Sequence, residues 1–273
     1  MLPNFFCIGA YRSGTTWLHT VLRTHPEIYL PSEKELYFFS HYYDRGYEWY
    51  EQFFQSWNGE KCVGEICPTY LCHEQAASRI TADFPAAKIL VILRDPVSQV
   101  SSFHRMRHRA GVTKGNLRTA LKEDDYLLQN ALYFAGLSRY RSYLEHGRGL
   151  VLFYEDLLQD PRKFLSSITY FLGVSDCLLE NIADRVNATR SPRSMTVERI
   201  IGGAGDFLWR RGLWRVKSLL KRLGLVNTLR TLNTRAPDPG EVPDDVATII
   251  REHTSEDRRR LAELLERDLS FWT

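Results

Sequence analysis

Residues 4–25, NFFCIGAYRSGTTWLHTVLRTH, decide how the rest of the chain is read. Phe5 to Ile8 is an apolar run of strand length, Gly9 to Gly14 a glycine-bounded turn, and Thr15-Thr16 the opening of a helix. A strand that feeds a turn and then a helix aims successive backbone N–H groups at one point. The positive end of the helix dipole falls there too, and the point suits an oxyanion such as phosphate. Gly9 and Gly14 carry no Cβ and are expected to allow tight turning and close approach to a ligand. Arg12 adds a fixed positive charge with planar donors. The spacing is almost that of a Walker loop, but Thr15 stands where the lysine that serves the β- and γ-phosphates would be. This counts against an ordinary ATPase or kinase and leaves open a nucleotide with one 5′-phosphate and a different transferable group. Taken alone, the stretch is also compatible with a strand–helix corner that binds nothing.

A second stretch of the same kind lies further on. Lys88 to Leu93, KILVIL, is a continuous apolar run typical of a buried parallel strand; it ends in Arg94-Asp95-Pro96, and a helix is expected from about Val97. Pro96 to Lys122 holds six basic residues (Arg105, Arg107, Arg109, Lys114, Arg118, Lys122) and no acid. A solvated helix face explains such a run, and so does an anionic ligand nearby. Further strands are expected at Val63–Ile66 and Leu150–Phe153. Helices are expected over 46–57, 73–84, 130–146, Pro161–Leu172 (closed by Gly173) and 254–269. Ser32 is expected to cap a short helix with Glu33 and Glu35 in its first turn. Strands alternating with helices make the fold class α/β, a single P-loop-like domain over 1–273 with a central parallel sheet flanked by helices on both faces. Ligands in such sheets bind beyond the carboxyl ends of the strands. Two anion-friendly corners on that edge, Gly9–Thr16 and Arg94–Ser102, imply a ligand with two separated phosphates.

Composition bounds the rest. The chain has 273 residues, 44% hydrophobic and 25% charged, ordinary values for a globular protein, and its net charge of +3 is too small to imply nucleic acid. No apolar run reaches membrane-spanning length, and a first strand starting by Asn4 is expected to leave no room for a leader peptide. Five cysteines (Cys7, Cys62, Cys67, Cys72, Cys177) show no CxxC and no accompanying histidine set, so free thiols, a cytoplasmic setting and no metal are expected. The aromatic stretch GYEWYEQFFQSW, 46–57, reads as core packing or as the wall of an acceptor pocket. Residues 205–235 hold eight basic residues against one acid, with Trp209, Leu213, Val216, Leu220 and Leu223 on one helical face. That segment is expected to pack on the domain or to make peripheral contact with anionic lipid, and a non-catalytic, membrane-attached binder is one alternative reading.

The motifs, taken together, resemble those of the sulfotransferases that use 3′-phosphoadenosine 5′-phosphosulfate (PAPS). Tyr11 to Leu18, YRSGTTWL, resembles their 5′-phosphosulfate loop, and Arg94-Asp-Pro with Ser102 eight residues later resembles their 3′-phosphate site. Similarity extends through Leu150–Gly173 and the terminal RDLSFW, 267–272. The nearer branch is the one with heparan sulfate and many bacterial sulfotransferases, whose glutamate before an aromatic pair matches Glu35 in KELYFF. The resemblance implies a transferase of the EC 2.8.2 type that moves a sulfuryl group from PAPS to an acceptor hydroxyl on a carbohydrate, lipid or small metabolite. It implies Glu35 as base and Arg12 as the charge that neutralises the leaving group. Arg12, Ser13, Gly14, Thr15, Thr16 and Trp17 would hold the phosphosulfate. Arg94 and Ser102 would hold the 3′-phosphate, with Tyr133, Arg190 and Arg193 near the nucleotide. Glycosaminoglycan enzymes carry Glu-Lys-(Ser/Thr)-Pro-x-Tyr where this chain has Glu65-Ile66-Cys67-Pro68-Thr69-Tyr70; replacement of that lysine by Ile66 argues against a heparan-like acceptor. A P-loop nucleoside or small-molecule kinase is the alternative enzyme.

Overall fold

Five parallel strands form the sheet: β1 (Phe5–Gly9), β2 (Ile28–Tyr29), β3 (Cys62–Ile66), β4 (Lys88–Leu93) and β5 (Gly149–Phe153), in the order β2-β3-β1-β4-β5. The computed structural model describes residues 1–176 and 242–272, and between them only 191–192, 203–204, 208, 211, 216 and 234–235. Ser191–Pro192 pairs antiparallel with Thr234–Arg235. Arg190, Arg193, Cys177 and the amphipathic face expected over 205–235 lie outside the described residues, apart from isolated positions. No described helix is long and apolar enough to cross a membrane.

Alternation along the central strands explains why both faces are covered. Phe5 and Cys7 of β1, with Leu90 and Ile92 of β4, face one core, shared with the helices Thr15–Leu22 and Pro161–Leu172. Phe6 and Ile8, with Ile89, Val91 and Leu93, face the other, which holds Phe39, Tyr70, Tyr140 and Trp272. A third cluster joins the helix Pro96–Arg109 to the start of the helix Asp244–Leu265 through Phe103, Leu127 and Ile250. Pairing of β1 with β3 puts Phe5 beside Gly64, where an added Cβ would come within 2.1 Å of the Phe5 ring; only glycine fits there.

Several expected elements need correction. The stretch 130–146 is not one helix but three short turns, Tyr133–Leu137, Ser138–Tyr140 and Arg141–Glu145. The closing helix begins ten residues earlier than expected, at Asp244. The helix over 46–57 ends as α at Glu51 and continues as a 3₁₀ turn to Phe54. No helix starts at Ser32. Glu35 and Tyr37 instead take left-handed backbone angles, φ +63 and +56, and the Glu35 N–H donates to the Ile66 carbonyl at 3.1 Å. The chain is therefore drawn across the end of β3, and a π-helical turn follows at Phe38–Tyr42.

Candidate active site

β1 and β4 lie side by side at the centre of the sheet, so the turns leaving their carboxyl ends must meet. Gly14 has φ +87 and caps the helix Thr15–Leu22. A Cβ on it would sit 3.0 Å from Leu157 and 3.2 Å from Tyr154. Gly9 serves differently from expectation: its φ is not positive, and its missing Cβ makes room for Leu71, 2.8 Å away. Ser13 and Thr15 are buried in the turn and Thr16 is exposed at its rim.

The two expected anion corners are joined. Arg12, itself at φ +62, donates from Nε to Ser102 Oγ at 3.0 Å, and Arg94 donates from Nη1 to the Arg12 carbonyl at 3.0 Å. The Arg94 guanidinium lies over the Tyr154 ring at 4.6 Å. Burial, followed by the charges of Arg94, Arg109 and Arg105, holds the Arg12 guanidinium below its ordinary pKa. Among the described residues no carboxylate forms an ion pair with Arg12 or Arg94. The basic run after Pro96 thus divides. Arg107 and Arg118 pair with Asp124 and Asp245; Arg105 donates to Ser101 Oγ at 2.7 Å, and the charges of Arg105 and Arg109 reach Arg12.

The side chains of two residues expected at the nucleotide, Trp17 and Tyr133, are buried. The Trp17 ring is buried in the core, edge-on to Phe164 at 6.0 Å, because the helix period directs position 17 onto the sheet. Tyr133 is 1% exposed and donates to the Arg94 carbonyl at 3.0 Å, so it braces Arg94 from behind.

Glu35 stands on the loop that crosses β3. Its Oε2 accepts from the Tyr37 hydroxyl at 2.5 Å, and Oε1 meets the Lys34 ammonium. Burial pushes this carboxyl up, but the Lys34 charge and the hydrogen bonds from Lys34 and Tyr37 outweigh it, leaving the pKa below the ordinary value. The group is ionised at neutral pH and can accept a proton.

Sequence reasoning missed Tyr154, Gln99 and Glu65. Tyr154 follows β5 directly, a third strand end on the same edge, which was the available clue. Gln99 donates to the Tyr11 carbonyl at 3.2 Å from one turn into its helix. Glu65 is an acid inside an otherwise apolar strand, CVGEI, and is 2% exposed. Such a carboxylate needs partners, and it has them: the hydroxyls of Tyr50 at 2.5 Å and Tyr70 at 2.8 Å.

A sequence profile described as "Sulfotransferase family" matches residues 3–65 and 41–176. The membrane-associated sulfotransferase kil1 of Dictyostelium discoideum is 39% identical over 107 residues, 38% of this chain and 23% of that protein. The bifunctional heparan sulfate N-deacetylase/N-sulfotransferase 4 of Mus musculus is 30% identical over 199 residues, 64% of this chain and 22% of that protein. The chain thus spans under a quarter of the length of these two relatives. A sulfotransferase crystal structure from Alicyclobacillus acidocaldarius shares the fold, with TM-score 0.74 at 23% identity over 100% of this chain and 99% of that one.

Proposed function

The chain belongs to the sulfotransferase family, and on that premise we propose that it transfers a sulfuryl group from PAPS to an acceptor hydroxyl. One observation carries the choice of donor: Arg12 and Arg94 meet at the ends of β1 and β4, with Ser102 on Arg12 and no carboxylate paired to either among the described residues. Positive groups gathered without counter-charge repel each other, and a ligand with phosphates at both ends would relieve that repulsion. The N–H groups from Ser13 to Thr16 would take the 5′-phosphosulfate, and Arg94 with Ser102 the 3′-phosphate. Thr15 in place of the Walker lysine leaves no cation at the position that serves a triphosphate.

In this reading the acceptor oxygen attacks sulfur in line, its proton passes to Glu35, and the bond from sulfur to the bridging phosphate oxygen breaks. Adenosine 3′,5′-bisphosphate leaves with its new charge neutralised by Arg12. The acceptor is a carbohydrate, lipid or small metabolite. Ile66, 1% exposed and packed in the core, supplies no cation for a polyanionic sugar. Cys7, Cys62 and Cys67 are buried free thiols, which supports a reducing, cytoplasmic setting.

Thermal melting with nucleotides tests the donor. Adenosine 3′,5′-bisphosphate is expected to raise Tm well above the shift given by AMP or by ATP with Mg²⁺. Equal shifts for the bisphosphate and AMP would remove the 3′-phosphate from the reading, and turnover of ATP would favour a kinase.

A further inference from the structure

Glu65 does nothing in the reaction just described, yet it is the most deeply buried carboxylate among the groups around the site, 2% exposed. It accepts from Tyr50 on the helix Gly46–Glu51 and from Tyr70 on the turn Thr69–Cys72. The residue after Glu65, Ile66, accepts the Glu35 N–H through its carbonyl at 3.1 Å. The Glu35 loop is therefore tied to β3 at the residue next to Glu65. The loop needs such holding, since Glu35 and Tyr37 both sit at positive φ, a conformation that side chains disfavour. Tyr70 extends the arrangement, as its hydroxyl also accepts from the Phe39 N–H at 3.4 Å.

We propose that Glu65 is the positioning residue of Glu35: its ionised carboxylate holds the Glu35 loop in the strained form that presents the base, and its protonation releases that loop. This rests on the reading of Glu35 as base. Both partners of the carboxylate, the hydroxyls of Tyr50 and Tyr70, arrive as donors. A protonated Glu65 would have to give its own proton to a tyrosine hydroxyl, leaving that hydroxyl's hydrogen without the acceptor it now has.

The surroundings set where the change falls. Burial pushes the Glu65 carboxyl up to about 7, against the hydrogen bonds of Tyr50 and Tyr70. Burial, followed by the charges of Glu65 and Glu35, drives the Cys67 thiol at the exit of β3 well above the ordinary range, so it stays neutral. Tyr50 and Tyr70 are likewise driven up and stay protonated; Tyr47 lies beside Tyr50. From β1 the registered neighbour is Phe6, which carries no charge. Glu33, Lys34 and Glu35 are the charged groups on the loop itself, and Glu35, held below its ordinary value, does not change state near pH 7.

The test uses the whole chain and two readouts between pH 5.5 and 8.5: hydrolysis of PAPS with water as acceptor, and hydrogen exchange at the Glu35 and Phe39 amides. In the unaltered protein, hydrolysis is expected to rise through pH 7 while exchange, corrected for its intrinsic pH dependence, slows over the same interval. Glu65→Gln is expected to lower hydrolysis by about 10²-fold and to abolish both inflections, with the Tm shift from adenosine 3′,5′-bisphosphate retained. Tyr50→Phe removes one bond that favours the carboxylate, so both midpoints are expected to move to higher pH. Retention of the same limb in Glu65→Gln, or midpoints that stay put or fall in Tyr50→Phe, would overturn the proposal. If the unaltered protein does not hydrolyse PAPS at all, the donor assignment fails by itself, and the amide inflection still decides for or against Glu65.

Discussion

Arg12 and Glu35 hold opposite ends of the proposed reaction, and each makes a separate prediction. Arg12→Ala removes the guanidinium that reaches Ser102 and faces the fields of Arg94, Arg105 and Arg109. Loss of a preorganised charge at the leaving group should slow sulfuryl transfer by about 10²- to 10³-fold, measured as single-turnover loss of PAPS. A variant within threefold of the unaltered rate would take Arg12 out of the chemistry. Glu35→Gln keeps the shape of the side chain but cannot take a proton at neutral pH, so turnover should collapse while binding of adenosine 3′,5′-bisphosphate, read by calorimetry, is unchanged. At this scale the sequence was informative wherever function depends on a strand end. Arg12, Gly14 and Arg94 are local to two turns and Ser102 to the helix that leaves the second, and a parallel sheet brings such turns to one edge. It was silent where a role depends on which strands are neighbours. Glu65 matters because β3 lies beside β1 and under the Glu35 loop, and Tyr154 because β5 lies beside β4.

The strands were the most legible elements, and their pairing can be tested through one contact. KILVIL reads as a buried strand because an apolar run covered on both faces leaves no polar alternative, and it spans Lys88–Leu93 as read. The 32–39 stretch misled because a serine followed by glutamates has the composition of a helix start, while the backbone is claimed by the hydrogen bond from the Glu35 N–H to β3, remote in sequence. Gly64 shows how tightly β1 and β3 are fitted. Gly64→Ala would put its Cβ 2.1 Å from the Phe5 ring in a fully buried core, and should destabilise the fold by about 3 kcal/mol, measured by urea unfolding. Phe5→Leu in the same chain should recover part of that loss, although alone it is destabilising. Purely additive losses in the double variant would mean that the strain lies elsewhere than in this pair.

For the molecule as a whole, the two carboxylates act on stability in opposite directions as pH changes. Glu35 has a folded pKa below its ordinary value; its contribution is present above the unfolded value of 4.5 and is lost as pH falls through the lowered one. Glu65 has a folded pKa raised from 4.5 to about 7. Between those values the unfolded chain has released this proton and the folded chain retains it, so the folded state loses stability as pH rises across the interval and is level above it. A shift of that size in a fully buried group corresponds to about 3 kcal/mol. The proposed function needs the ionised form, so the chain works on the less stable side of this transition, as sites that hold strain commonly do. Urea unfolding between pH 4.5 and 8 should show stability falling toward neutrality in the unaltered protein and a flatter profile in Glu65→Gln, which has no proton to lose. If the two profiles have the same slope, the fall comes from other groups, and Glu65 is ionised in the folded protein well below pH 7.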